Sequence, residues 1–308
     1  MRILLRSDIE ILESSLQDDT PGFSALWHYE VGQIVKKGNT LYECIKQSEK
    51  PNLESDFRQI GADNTMRAFD SAPNSLSTMP LGQDMRLKVR TSGCLYLTNF
   101  ACNTLEVRLY DTKGSLLKEE IVGKQEETDY RSYFFKRSIA KEGSYLFPHV
   151  GPAIYEVVLK NTLQESRTIV DEKGIKVYAY EGQRVLKSNV PVSLGVFFCG
   201  ELLELGTTLY KGALSVEDFS KIEVDEHTGL TKIKPGVYRK TYKFTILVLL
   251  ENLDNILEVL VRHKSTPSIL ELSDALECLR LFGLIKSIDV NFNDTKRAHI
   301  DLELQELT

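Results

Sequence analysis

Four aromatic side chains in the first sixty residues have the chemistry of a binding site. These are Trp27, Tyr29, Tyr42 and Phe57. Sugar rings stack their C–H faces on flat aromatic rings, so exposed aromatics close together are a candidate glycan platform. The alternative interpretation is that the same rings form the core of a small module that has little else to bury. The sequence leaves both interpretations open.

A short hairpin is expected to position these rings. Ile34 and Val35 begin one strand, the turn is Lys37-Gly38-Asn39, and residues 41–45 return as the paired strand. Glycine and asparagine tolerate the positive φ angles that tight hairpin turns require. So small a hairpin cannot bury enough apolar surface to be stable alone. Its aromatic side chains must therefore pack into something or bind something.

The hairpin resembles a known kind of module. Tyr29, Gly32, Val35, Tyr42 and Cys44 follow the spacing of the small chitin- and cellulose-binding modules, with the turn glycine one place earlier. The resemblance implies a carbohydrate-binding fold for this segment, with the aromatic residues as its ligand-binding positions.

A second block is similar to a family of tail-associated virion proteins from bacteriophages of Gram-negative hosts. The block is I-G-A-D-N-T-M-R-A-F-D at Ile60–Asp70. In that family, the hairpin module leads through such a block into a β-sandwich. Looser matches follow in the same order at residues 129–135, 204–212 and 216–221.

The resemblance implies a structural component of a phage tail or baseplate, a tail-tip or fibre-attachment protein without enzymatic activity. The expected partners are other tail or baseplate proteins, further copies in a symmetric homo-oligomer, and host surface polysaccharide. The expected location is the virion tail, assembled in the host cytoplasm. Two alternatives stay open: a glycan-binding adhesin module whose main role is sugar recognition, and a glycan-degrading enzyme.

The middle of the chain has the periodicity of strands. Leu105, Val107 and Leu109 alternate with Glu106 and Arg108, and other short apolar runs recur about every ten residues between 85 and 161. This spacing predicts an antiparallel β-sandwich.

The last hundred residues change to an α+β pattern. Residues 242–250 alternate as a strand, and residues 298–304 alternate as a closing strand. Between them, an amphipathic helix is predicted at 252–264, with Asn252 as N-cap. Its apolar stripe is Leu253, Ile256, Leu257, Leu260 and Val261. One helix on an antiparallel sheet is expected.

The fold class is therefore predicted as mainly β, and four segments are predicted along the chain. Residues 1–60 are an N-terminal arm with the carbohydrate-binding-like module, and 61–165 are the sandwich. Residues 166–213 are a connector with strands, and 214–308 are an α+β docking domain.

Composition excludes several classes of function. The net charge of −6 argues against a general nucleic-acid binder. Apolar runs such as residues 244–250 have the length of a strand, well below the roughly 20 residues of a membrane-spanning helix, so no membrane insertion is expected. Five scattered cysteines without C-x-x-C spacing indicate no disulfide framework.

Catalytic and metal-binding motifs are absent from the sequence. None of the nucleotide, zincin or nucleophile-elbow motifs occurs. The most ligand-like triplet is Asp225-Glu226-His227, which is more simply a solvated turn before Thr228-Gly229. No catalytic residue, metal ligand or cofactor is therefore predicted.

Overall fold

The structure is a computed structural model. It describes residues 1–123, 143–161, 163–169, 178–184, 191–209, 212–224, 231–234, 236, 238–272, 280–292 and 294–307. Three expectations concern residues outside these ranges: the family-like match at 129–135, the triplet at 225–227, and Cys278. The other four cysteines, Cys44, Cys94, Cys102 and Cys199, form no disulfide.

Strands dominate the chain, as predicted from its alternating apolar pattern. The first twelve are β1 (Arg2–Arg6), β2 (Glu10–Ser14), β3 (Ile34–Lys37), β4 (Thr40–Cys44), β5 (Phe57–Ala62), β6 (Ser77–Thr78), β7 (Met85–Ser92), β8 (Cys94–Ala101), β9 (Thr104–Tyr110), β10 (Leu116–Gly123), β11 (Gly143–Phe147) and β12 (Pro152–Lys160). The others are β13 (Leu163–Ile169), β14 (Tyr178–Arg184), β15 (Ser193–Glu204), β16 (Thr207–Thr208), β17 (Ala213–Asp218), β18 (Lys221–Val224), β19 (Thr231–Lys234), β20 (Tyr238–Leu249), β21 (Ser268–Glu271), β22 (Arg280–Asn291) and β23 (Arg297–Glu306).

The described helices are few and short, apart from one. They are α1 (Leu53–Asp56), a 3-10 turn (Arg67–Phe69) and α2 (Leu250–Arg262). Among the described residues, no helix has the length and apolar character needed to cross a membrane.

The chain divides into two compact units rather than the four segments expected from sequence. One unit combines residues 1–7 with 199–308, and the other is residues 8–198. The difference arises at the N-terminus, because the first strand joins the end of the chain instead of the module that follows it.

The unit of residues 1–7 and 199–308 is built on one antiparallel sheet. The strand order is β15-β1-β21-β22-β23-β20-β16, and β17 also pairs with β20. Ile3 lies opposite Leu203 on one side and Leu270 on the other. Ile3 and its neighbour Leu4 are both fully buried. The predicted N-terminal arm is thus an interior strand, because its apolar residues fill both faces.

Helix α2 covers one face of this sheet, as predicted. Leu253 and Leu260 are buried against a strand face that includes Phe244 and Ile246. The helix begins two residues earlier than expected, with Leu249 in place of Asn252 as N-cap. Val261 was predicted in the apolar stripe, but it is 64% exposed. At 3.6 residues per turn, it lies about 80° around the axis from Leu253, at the edge of the buried face.

The unit of residues 8–198 contains the predicted β-sandwich. One sheet has the order β10-β9-β12-β7-β2, and the other contains β11, β8 and the first half of β15, with β6 paired to β15. The ring of Phe147 in β11 meets the ring of Tyr155 in β12 edge-on, with centroids 5.9 Å apart. Both side chains are fully buried, so the apolar core lies between the two sheets.

Alternating charges cover the outer face of the five-stranded sheet. The register places Glu119, Arg108, Glu156, Lys88 and Glu13 in one row across all five strands. Arg108 lies 2.6 Å from Glu119, and Lys88 lies 3.3 Å from Glu13. Opposite charges on neighbouring strands stabilise a sheet, whereas like charges destabilise it. The charged side chains of this row are therefore paired with one another, while Ile121, opposite Glu106 on the same face, is exposed.

The helix–sheet seam gives a direct test of the fold. Leu260→Asp should lower the free energy of unfolding by about 3–5 kcal/mol, because it places a carboxylate where no water reaches. Val261→Asp is the matched control on the next residue, and it should change stability by less than about 0.5 kcal/mol. Urea denaturation of both variants measures the difference. Equal losses of stability in the two variants would contradict the observed orientation of α2, in which Leu260 is buried and Val261 is exposed.

Candidate functional site

The predicted hairpin exists and gains a third strand. Strands β3 and β4 pair in antiparallel fashion around the turn Gly38-Asn39, and β5 pairs with the other side of β4. Gly38 has φ of 61°, which explains the glycine at this turn. The sheet β3-β4-β5, its preceding loop and α1 are called the module below.

The module has its own small aromatic core. Tyr29, Val35, Cys44 and Phe57 are buried together. The rings of Tyr29 and Phe57 meet edge-on, at 82° with centroids 5.3 Å apart. Edge-to-face contact is a favoured arrangement of aromatic pairs. The aromatic residues therefore supply the burial that this short sheet needs.

The hydroxyl group of Tyr29 is also used inside the module. It accepts a hydrogen bond from the backbone N–H of Ser24 at 2.7 Å and donates one to the carbonyl oxygen of Ser24 at 3.1 Å. A buried tyrosine hydroxyl normally needs such partners. Both the ring and the hydroxyl of Tyr29 thus serve the fold.

The candidate glycan platform is therefore corrected. Tyr29 and Phe57 are only 4% and 6% exposed, so neither can offer a ring face to a sugar. Tyr42 lies opposite Val35 on the same face of the sheet and packs against the core. Trp27 is 57% exposed and is the member of the set that remains available to a ligand. The structure does not bring the four rings together as one exposed surface.

Sequence reasoning missed Phe23, which completes this core. Its ring stacks on Tyr29 with centroids 5.8 Å apart and meets Phe57 edge-on at 5.3 Å. It is brought there because the segment before it pairs with β3: Phe23 N–H donates to the carbonyl oxygen of Lys36, and Lys36 N–H donates to that of Pro21. No local signal in the sequence indicates this parallel pairing of Gly22 with Lys36.

The block at Ile60–Asp70 forms a joint between the module and the sandwich. Asn64 is its centre. The side-chain amide of Asn64 donates to the carbonyl oxygens of Gln17 and Thr78 and accepts from the N–H of Thr78, at 2.8–2.9 Å. One side chain thereby links the end of β5, the segment after β2, and β6. An asparagine supplies both donors and an acceptor, which explains the residue type.

The far end of the joint is anchored in the sandwich core. Phe69 is buried against Phe197 of β15, with ring centroids 5.3 Å apart. The hydroxyl group of Ser77 accepts from the N–H of Ala68 at 2.9 Å and donates to the carbonyl oxygen of Asn64 at 2.8 Å. The block thus begins in the module sheet and ends among the sandwich strands.

Asp18 ties the segment before the module to the same joint. Its carboxylate accepts a hydrogen bond from the N–H of Asn64 at 2.8 Å and lies 3.6 Å from the ammonium group of Lys36. Partial burial by itself would raise the pKa of Asp18. Hydrogen bonds from Asn64 and Thr20, with the charge of Lys36, outweigh burial and lower the pKa from 3.8 to about 2. The joint therefore contains a carboxylate held in its ionised form.

The module face opposite the aromatic core is partly apolar and, apart from the buried Leu41, faces solvent. Its middle row is Ile34, Glu43 and Arg58, one residue from each strand. Glu43 and Arg58 form an ion pair with an N–O distance of 2.5 Å. Ile34, Ile45 and Ile60 are 43%, 50% and 43% exposed. This surface, Ile34, Glu43, Ile45, Arg58 and Ile60, is called the outer face of the module.

A concave surface lies in the unit of residues 1–7 and 199–308. It is an open groove of about 490 Å³ on the polar side of the sheet, crossing β20, β23 and β22. Hydrogen bonds to Lys286 and Lys243, both 3.2 Å away, lower the pKa of Glu303. Asp301 accepts hydrogen bonds from Thr245 and Asn291. These carboxylates are occupied by neighbours within the sheet.

Metal binding has no support in the described part of the chain. Among the described residues, no group of three or more histidine, cysteine, aspartate or glutamate side chains is arranged to hold a metal ion.

Comparison with known proteins finds no match. No protein family, no curated protein and no solved structure matches the chain.

The charge on Asp18 should be visible in the pH dependence of stability. Its pKa is about 2 in the folded chain, below its ordinary value of 3.8. Its contribution is therefore fully present above pH 3.8 and is lost as the pH falls toward 2. Over this pH range, the free energy of unfolding should fall by roughly 1–2 kcal/mol less in Asp18→Asn than in the unchanged chain.

Chemical denaturation between pH 5 and pH 2 measures this effect, with about a half-unit step to define the slope. Asp19→Asn is the matched control, since Asp19 is the exposed neighbour. The interpretation of the joint is wrong if Asp18→Asn and Asp19→Asn have the same pH profile.

Proposed function

We propose that this chain is a structural component of a bacteriophage tail or baseplate, a tail-tip or fibre-attachment protein without enzymatic activity. The observation that carries the proposal is the joint. The block at Ile60–Asp70, which resembles that of tail-associated virion proteins, lies where such a block is expected, between a small β module and a β-sandwich. Within the block, Asn64 hydrogen-bonds to β6 and Phe69 packs against Phe197 of the sandwich.

The state of the carboxylates supports a structural rather than a catalytic role. A glycosidase needs one carboxylic acid whose pKa is raised, so that it can protonate the leaving group. Among the described carboxylates with a clear shift, each pKa is lowered: Asp18, Asp56, Asp111, Glu120, Asp218 and Glu303. Acids held ionised in this way act as hydrogen-bond acceptors and ion-pair partners.

Exposed apolar strands support contact with neighbouring proteins. Strand β17 pairs with β20, and Leu214 and Val216 on it are exposed. An exposed edge strand with apolar side chains favours the addition of another chain. In a virion such edges would become interfaces with other tail or baseplate proteins and with further copies in a symmetric ring. The proposed location is the virion tail, assembled in the host cytoplasm.

Purified phage particles test this function. An antibody raised against the isolated chain should label the tail in negative-stain electron microscopy, and mass spectrometry should detect the chain in the same particles. Particles that contain every known tail protein but lack this chain would overturn the proposal.

A second candidate function rests on Trp27. Its exposed ring is the remaining position at which the module could stack a host surface polysaccharide, as an adhesin would. If sugar recognition is the main role, Trp27→Ala should reduce glycan-array binding at least tenfold. Stacking of a nucleic-acid base on an aromatic side chain contributes about 1–3 kcal/mol, and we expect a similar loss for a sugar ring. Phe292→Ala, at an exposed aromatic outside the module, is the control. Equal binding by both variants would exclude the adhesin function.

A further inference from the structure

The outer face of the module has an unusual combination of chemistry for a solvent-exposed surface. A single acid and a single base stand side by side in the middle row, on neighbouring strands. Isoleucines lie around them: Ile34 in the same row, Ile45 two residues beyond Glu43, and Ile60 two residues beyond Arg58. Ile60 is the extra residue of a β-bulge in β5.

The ion pair by itself does not explain this face. An exposed pair of this kind contributes at most about 1 kcal/mol to stability. The three half-exposed isoleucines add nothing to the module core, which lies on the opposite side of the sheet. One row across the outer face of the five-stranded sheet is made entirely of alternating charges. The corresponding middle row of the module consists of one ion pair and the apolar Ile34.

The arrangement of charge on this face is complementary to itself. A two-fold axis that lies in the contact plane and runs along the strands, midway between β4 and β5, exchanges the positions of Glu43 and Arg58. Glu43 of one copy then faces Arg58 of the other, and the reverse contact is made at the same time. The intramolecular pair becomes a ring of four alternating charges.

We propose that the outer face of the module is a contact between two copies of this chain. The same axis brings Ile45 of one copy next to Ile45 of the second copy at one end of the charged row. It brings Ile60 next to Ile60 of the second copy at the other end, and each Ile34 lies beside the Arg58 of the opposing copy. Neighbouring strands are ~4.8 Å apart and stacked sheets ~10 Å apart, so side chains of this size meet across the gap.

The contact is isologous, with charged pairs at its centre and apolar side chains at both ends. Its area is that of one small three-stranded sheet, at the low end of specific interfaces, so association at micromolar rather than nanomolar concentration is expected. This contact rests on the proposed function, because it is the surface on which copies in a symmetric assembly would meet.

Charge reversal tests the contact. Glu43→Arg gives four positive charges at the centre of a two-fold pair, and Arg58→Glu gives four negative charges. Each variant alone should associate at least tenfold more weakly than the unchanged chain. An equimolar mixture of the two variants should form a mixed pair, because each then opposes charges of the other sign. Sedimentation equilibrium over a concentration series measures the unchanged chain, the two variants and their mixture.

The matched control is the ion pair of Glu10 and Arg90, which also spans two adjacent strands, with a 2.7 Å N–O distance. Glu10→Arg should leave association unchanged. Thermal melts of all variants identify any loss of folding, and the mixed pair provides a gain that misfolded variants could not produce.

Two results would overturn the proposal. One is an unchanged chain that stays monomeric up to its solubility limit. The other is a mixture of Glu43→Arg and Arg58→Glu that associates no better than either variant. Neither result decides the proposed function, which is tested separately by the presence of the chain in purified particles.

Discussion

The hydrogen bonds of Asn64 are the constraint on which the arrangement of residues 8–198 depends. The module buries one face of three short strands around Tyr29 and Phe57, and a sheet of that size is marginal when it stands alone. Asn64 connects it to the segment after β2 and to β6, while Phe69 fills a place in the sandwich core. The module is therefore fixed to a larger fold through backbone groups that would otherwise require water.

Long-range pairing organises the other unit in a comparable way. Strand β1 inserts between β15 and β21, so the sheet that carries α2 includes the first residues of the chain. Ile3 and Leu4 are both fully buried, one on each face of that sheet. A strand buried on both faces contributes apolar area twice, which compensates for the entropy of closing a loop of nearly two hundred residues.

The surfaces of the protein differ in how they are satisfied. On the five-stranded sheet, acids and bases alternate across all strands, and on the polar side of the α2 sheet, Glu303 and Asp301 are held by neighbouring side chains. The outer face of the module instead combines one ion pair with exposed isoleucines. The middle row of the module therefore exposes an apolar side chain where the corresponding row of the five-stranded sheet carries charges only.

Periodicity in the sequence determined the element types, the sandwich strands and the helix on its sheet, because burial of one face imposes alternation on a strand and a stripe on a helix. The hairpin and its turn could be predicted from Gly38-Asn39, because these residues tolerate the positive φ angles of a tight turn. The sequence could not determine which aromatic rings face inward. Tyr29 and Phe57 are buried, whereas Trp27 is exposed, because of what packs beside each ring. Phe23 reaches the module core through a parallel pairing of its segment with Lys36, which no local pattern indicates. The place of β1, the joint at Asn64 and the self-complementary outer face were likewise decided by tertiary structure, because each depends on strands that are distant in sequence becoming neighbours in space.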